Sequence, residues 1–218
     1  MDILEAIQTR HSVRDFLSRP VPKDIVMKIM QAATRSPSSG NGQPWEIFIA
    51  SGATLEKIRQ AVLERAALAA AVPVGPAVTP PPQTVLQQRF AASKRERLEL
   101  LGMDPDDPQS YNIFNEWAAQ LYGAPVVAVI CQDRALTSSL DIGLLVQTIC
   151  LAAMHFNVDT LIATNFVTHP DLLREALDIP ESLNIVTGVG LGYANPDSII
   201  NTYRSPRRPI EEVVRYKE

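Results

Sequence analysis

Two short segments near the start of the chain hold the residues with the most chemistry to offer. Arg10-His11-Ser12-Val13-Arg14 places two permanent cations and a hydroxyl within five residues. Arginine suits a phosphate because its planar fork gives parallel, charge-assisted hydrogen bonds. Ser36-Pro37-Ser38-Ser39-Gly40-Asn41-Gly42-Gln43-Pro44-Trp45 is a turn-rich polar loop that runs into an aromatic, apolar segment. Together they suggest an anion site beside a loop able to hydrogen-bond a flat polar ring, and a phosphorylated aromatic cofactor fits both. Read alone, each has a plainer alternative: a solvated basic loop after a helix, and an ordinary helix-to-strand turn.

The elements that must position these residues are legible in outline. Residues 2–9 read as a short helix, with Ile3, Leu4 and Ile7 on one side. Residues 22–35 read as a second, with Pro22 at its first position and Pro37 and the glycines beyond its end. Trp45 to Ala50 alternates like a strand, and 54–70 follows as a helix. Ala71 to Pro82, with Pro80-Pro81-Pro82, reads as an extended connector. Helices at 83–101 and 110–121 flank a turn-rich break at Asp104 to Pro108. The stretch 71–121 has too little apolar surface for a core of its own. It reads as an inserted, partly mobile excursion from one domain spanning 1–218.

Val126 to Cys131 is a continuous apolar run, expected as a buried strand. Ser138-x-x-Asp141 resembles a capping box for a helix over 140–156 that is apolar nearly all round. Such a helix is expected to be buried on every side, either at the centre of the fold or at a subunit interface. Strands are expected at 159–164 and 183–193. Between them, Thr168-x-x-Asp171 is a candidate cap for a helix containing Leu172, Leu173 and Leu177. A strand or helical turn closes the chain at 209–216. Loosely alternating strands and helices predict a sheet flanked by helices.

Composition narrows the function. The chain has 218 residues, 46% hydrophobic and 20% charged, with a net charge of −4. That is the balance of one ordinary globular domain, not of a protein built to hold nucleic acid. The most apolar run, Ile142 to Phe156, is broken by Gln147 and is too short to span a bilayer. Met1-Asp2-Ile3-Leu4-Glu5 lacks the regions of a signal peptide, so a cytoplasmic location is the default. Cys131 and Cys150 lie in apolar surroundings and read as reduced core thiols. His11, His155 and His169 form no metal-ligand spacing. Gly188-Val189-Gly190-Leu191-Gly192 lacks the spacing of a dinucleotide fingerprint and is followed by Asn195-Pro196 rather than a helix. Its glycines read as sites of close packing or close approach to a cofactor.

The two opening motifs, in their order and spacing, resemble the FMN-dependent nitroreductase family. Its members begin with a short helix, an Arg-[Arg/His]-Ser-x-[Arg/Lys] cluster, and then Ser-Pro-Ser-x-x-Asn-x-Gln-Pro-Trp. The similarity continues at Tyr122-Gly123-Ala124-Pro125, the helix from Leu140 to Phe156, Gly190-Leu191-Gly192-Tyr193 and Arg207-Arg208-Pro209. It covers nearly the whole chain apart from about 66–110. The resemblance implies an α+β fold with a mixed central sheet, a long central helix and an intertwined homodimer with FMN at the interface. It implies NAD(P)H as co-substrate and a ping-pong transfer of hydride to a nitroaromatic, quinone or flavin.

Carried over residue by residue, the resemblance puts Arg10, Ser12 and His11 at the FMN phosphate, His11 donating through a ring nitrogen or its backbone. Arg14 falls near flavin N1 and O2. Arg207 and Arg208 match a second phosphate contact, with Arg204 able to replace the lysine that some relatives have where this chain has Ser205. Pro37, Ser38 and Ser39 contact the flavin from the partner subunit, and Asn41 and Gln43 either join them or pin the loop. Thr164 and Asn165 fall near flavin N5 and O4. Gly40, with Phe114, Trp117 and Tyr122, is a candidate for the acceptor pocket; the aromatics could equally anchor the excursion to the core. No protein nucleophile or acid–base residue is implied, because the cofactor carries the redox chemistry. Three other readings stay open: a specialised relative, such as a dehalogenase or a flavin-cleaving enzyme; a non-catalytic flavin-binding or storage protein; and a cofactor-free scaffold dimer.

Overall fold

Residues 2–70, 84–135 and 138–218 are described by the structure, a computed structural model. The proline-rich connector expected over 71–82 lies outside the described residues. The order is α1 (Ile3–Thr9), α2 (Lys23–Ala33), β1 (Trp45–Ser51), α3 (Gly52–Ala70), α4 (Val85–Leu100), α5 (Pro108–Ala119), β2 (Val126–Asp133), α6 (Ser139–His155), β3 (Asp159–Ala163), α7 (Pro170–Leu177), β4 (Leu183–Gly192) and α8 (Ile210–Val213).

The four strands form one sheet in the order β1-β2-β4-β3. All three pairings are antiparallel. The α+β expectation holds. Among the described residues of a single chain, the parallel component of the expected mixed sheet reduces to one isolated bridge, Ser12 to Thr160. That bridge matters, because it holds the arginine cluster against the edge strand β3.

β2 shows why a central strand reads as unbroken apolar sequence. Val126, Ala128 and Ile130 face α2 and α6 in one core layer. Val127, Val129 and Cys131 face α3, α7 and Phe166 in the other. Beside it, the glycines of β4 make room for aromatics. A Cβ on Gly188 would lie 2.5 Å from Phe166 Cβ, and one on Gly192 would lie 2.7 Å from Phe16 Cδ1. They serve packing within a strand. Both cysteines are buried free thiols, and burial pushes the Cys131 thiol up to about 11.

Several local expectations are corrected. Pro22 is the N-cap of α2 rather than its first helical residue. Thr168 does not cap α7: the N-cap is His169, and the Thr168 hydroxyl donates to the Asn165 carbonyl instead. The α6 cap does form, with the Asp141 N–H donating to Ser138 Oγ. That helix is not buried all round in one chain. Leu145 and Ile149 are fully buried, whereas Leu140 is 71% and Leu144 36% exposed. From residue 84 the excursion is two capped helices, and each buries an anchor: Leu98 on α4 and Phe114 on α5. Among the described residues, no helix is long and apolar enough to cross a membrane.

Candidate functional site

The two ends of the chain meet at one cleft of about 440 Å³. Its walls come from Arg10, His11, Ser12 and Arg14 on one side and Tyr203, Arg204 and Arg207 on the other, with Ile7 of α1 at the margin. Residues 10–14 are extended along β3, where the Val13 N–H donates to the Thr160 carbonyl at 3.0 Å. The opposite wall follows a 3₁₀ turn at Ile199–Thr202.

One buried side chain joins the walls. Asn201 Oδ1 accepts from the backbone N–H groups of Arg14 (2.8 Å) and Asp15 (3.2 Å). Its Nδ2 donates to the carbonyls of Asp15 (2.7 Å) and Asn195 (3.1 Å). Nothing in the sequence marks Asn201: it belongs to no motif, and its partners on the opposite wall, Arg14 and Asp15, lie more than 180 residues away in the chain. Arg204 is oriented by its own turn, with Nη1 donating to the Asn201 carbonyl at 2.8 Å.

The cleft is electropositive and short of counter-charge. Among the described residues, no ion pair engages Arg10, Arg14, Arg204 or Arg207. Burial, and then the charge of Arg97, bring the Arg14 guanidinium down to about 10. His11 is also held below its ordinary value, first by burial, with Arg204 and Arg10 adding to it against the hydrogen bond to Thr9. His11 Nδ1–H donates to the Thr9 carbonyl at 3.1 Å, which leaves Nε2 as the free ring nitrogen. A large anion would answer all of these features at once: unpaired guanidiniums, a hydroxyl at Ser12 and open volume.

Arg14 also borders a second recess of about 110 Å³, lined by Asp15, Trp117, Gln120, Tyr122 and Gly123. Two of the three aromatic candidates therefore sit beside the arginine cluster. Phe114 does not; it is buried under the Arg97 guanidinium, 5.4 Å from the ring centroid. Leu121 and Tyr122 hold left-handed backbone at φ 55° and 52°. Such strain in non-glycine residues costs on the order of 1–3 kcal/mol each and clusters at functional sites. Here the two residues lie at the edge of the recess that Tyr122 helps to line.

The loop 37–43 is elsewhere. Its Ser39 N–H donates to Asp141 Oδ1 at the start of α6, and its Gln43 N–H donates to Ser38 Oγ. Gly40 has positive φ and open space around it. Gly42 does not; its φ is −68°, and the left-handed positions are Asn41 and Gln43. Thr164 is exposed. Asn165 lines a separate shallow recess with Asn115, Ala118 and His169. Neither residue reaches the cleft in this chain, and Arg208 is exposed beside it.

An α+β domain with an arginine-lined cleft built by residues 10–14 and 203–207 offers a place suited to a large anionic ligand beside its sheet. The Nitroreductase family model matches residues 7–193, and the chain belongs to that family of oxidoreductases. It is 29% identical over 212 residues to the nitrobenzene nitroreductase of Ectopseudomonas oleovorans, covering 95% of this chain and 93% of the relative. It is also 29% identical over 216 residues to the 4-nitrobenzoate reductase of Pseudomonas putida, covering 94% and 91%. Among solved structures, the FMN-dependent nitroreductase NfnB from Mycobacterium smegmatis in complex with NADPH superposes with a TM-score of 0.87 at 25% identity, covering 99% and 97%.

Proposed function

We propose that this protein is an FMN-dependent oxidoreductase that carries reducing equivalents from NAD(P)H to an electron-poor acceptor, of which nitroaromatics are the leading candidates. The observation that carries the reading is the convergence of Arg10, Ser12 and Arg14 with Arg204 and Arg207 on one cleft without carboxylate partners. When bound, FMN supplies the hydride chemistry, taking a hydride from NAD(P)H and giving it to the acceptor in ping-pong order.

In this reading the chain's residues bind, orient and polarise. Arg10, Ser12, Arg204 and Arg207 hold the phosphate. His11 adds a ring donor from Nε2 only as the imidazolium, because Nδ1 is committed to Thr9. Arg14, partly buried and fixed through its backbone by Asn201, places a cation at the pyrimidine edge, where it favours the electron-rich reduced state. Trp117 and Tyr122 shape the acceptor side of the recess, and α4 and α5 act as a lid that selects acceptors.

The reading includes a homodimer. Ile3, Leu4 and Ile7 on α1 and Leu140 and Leu144 on α6 leave an apolar surface open, and α1 and α6 are in contact. Ile7 also borders the cleft, so a second copy covering this surface would lie against the cofactor. A partner's loop 37–43 could then supply the contact that a single chain's own loop does not make.

Titration of the apoprotein with FMN tests the assignment. Arg10→Ala should weaken binding about ten- to a hundredfold, because a hydrogen bond to a charged group contributes roughly 1.5–3 kcal/mol. Unchanged affinity in a folded variant would remove the phosphate site from this cleft.

A further inference from the structure

Arg97 lies on α4, within the excursion and outside every motif that marks the cleft. Its guanidinium stands 5.8 Å from the centroid of the Tyr203 ring, and that of Arg14 stands 5.8 Å from the same centroid. The two charges are therefore within about 12 Å of each other at effective dielectrics far below that of water. Arg97 Nε is buried with no hydrogen-bond partner, and its Nη1 meets only the Ser93 hydroxyl, at 3.4 Å. Lys94, one turn earlier, stands 4.0 Å over the Tyr111 ring, and its ammonium is pushed down by burial and by Arg97. The adjacent carboxylate, Glu96, is taken by the Tyr203 hydroxyl, which donates to it at 2.6 Å.

A partly buried cation in such company is costly. Aromatic faces at Phe114 and Tyr203 offset part of that cost. What remains is positive potential projected across Tyr203 toward Arg14, whose guanidinium is lowered first by burial and then by the charge of Arg97.

We propose that Arg97 is a positioning and charge residue of the redox centre: it acts through Tyr203 and Arg14 to raise the positive potential at the flavin's pyrimidine edge, so that the excursion helix α4 tunes the cofactor's reduction potential as well as covering it. The inference rests on the flavin assignment above. A unit charge at about 12 Å, the upper bound on the separation of Arg97 from Arg14, shifts an equilibrium by roughly tenfold at an effective dielectric near 20. For a two-electron couple, tenfold is about 30 mV.

The test is the midpoint potential of bound FMN in purified holoenzyme, measured by equilibration with a reference dye, alongside the FMN dissociation constant. Arg97→Gln should lower the potential by about 30 mV, the tenfold equivalent. Arg97→Lys, which keeps the charge and loses the fork, should recover at least half of that. Glu96→Gln should move the potential the opposite way, upward, because it removes the neighbouring negative charge while an amide can still accept from Tyr203. A structural role alone would shift both neutral variants in the same direction or leave both potentials unchanged, and either result overturns the proposal. If Arg97→Gln fails to fold, Glu96→Gln and Arg97→Lys still decide it: the first should raise the potential while the second stays near wild type, and a Glu96→Gln potential that is unchanged or lowered overturns the proposal. A wild-type protein that binds no FMN would instead overturn the cofactor assignment itself.

Discussion

Replacing Asn201 with Ala should damage stability and cofactor binding together. Asn201 makes four hydrogen bonds to backbone, two through Oδ1 and two through Nδ2. It is only 8% exposed, so water cannot readily replace them. At about 0.5–1.5 kcal/mol net per bond the loss is about 2–6 kcal/mol, and the lower half is expected because two N–H groups share one oxygen. For a chain of this size that is roughly a 5–12 °C fall in Tm. The same bonds hold residues 14–15 to the turn that presents Tyr203 and Arg204. Their loss should therefore weaken FMN about tenfold, the equivalent of one misplaced charged hydrogen bond. Asn201→Asp is the companion variant: it keeps an acceptor for the two N–H groups but turns a carboxylate oxygen toward two carbonyls. It should be no more stable than the alanine variant. Urea denaturation and FMN titration measure both effects. An alanine variant within about 0.5 kcal/mol of wild type, with unchanged FMN affinity, would refute the view that Asn201 joins the two walls.

Other substitutions probe the remaining parts. Because the folded His11 titrates below its ordinary value, its contribution to apoprotein stability is fully present above the unfolded pKa of 6.5 and is lost as pH falls through the lower folded value. Thermal melts of the apoprotein between pH 8 and 5 should fall less steeply in His11→Gln, and an identical slope would show that His11 is not coupled. Leu140→Asp, on the exposed edge of α6, should shift sedimentation from dimer to monomer while the fold persists; a variant still dimeric at micromolar concentration would exclude this face. Leu145 would be a poor probe, because it is fully buried within one chain and aspartate there would unfold it. Trp117→Ala should change steady-state constants for nitroaromatics or quinones with FMN content near normal, and loss of FMN would instead make Trp117 an anchor.

The parts of the fold that depend on local pattern were legible in the sequence. β2 announced itself because a strand buried on both faces needs an apolar residue at every position. The Ser138 cap and the Arg10–Arg14 cluster are likewise defined within a few residues. The parts that depend on distant contacts were not legible. Asn201 meets Arg14 across 187 positions, and Tyr203 meets Glu96 across 107. No window of sequence contains either pair. The periodicity of α6 left two places open for a physical reason: the same apolar residues can face a core or await a partner, and Leu140 and Leu145 look alike until one chain is folded. Thr168 was misread because a threonine can close a 3₁₀ turn behind it as readily as cap a helix ahead. Arg97 left no signal, because its place beside Tyr203 and Arg14 comes from packing between distant segments rather than from any spacing.

The central claim is most directly tested by anaerobic stopped-flow spectroscopy of the purified protein. The account predicts a yellow protein with one FMN per subunit, whose flavin absorbance bleaches on mixing with NADPH or NADH and returns on adding a nitroaromatic such as nitrobenzene. A colourless protein that takes up no added FMN, or bound flavin that neither nucleotide reduces, would contradict it.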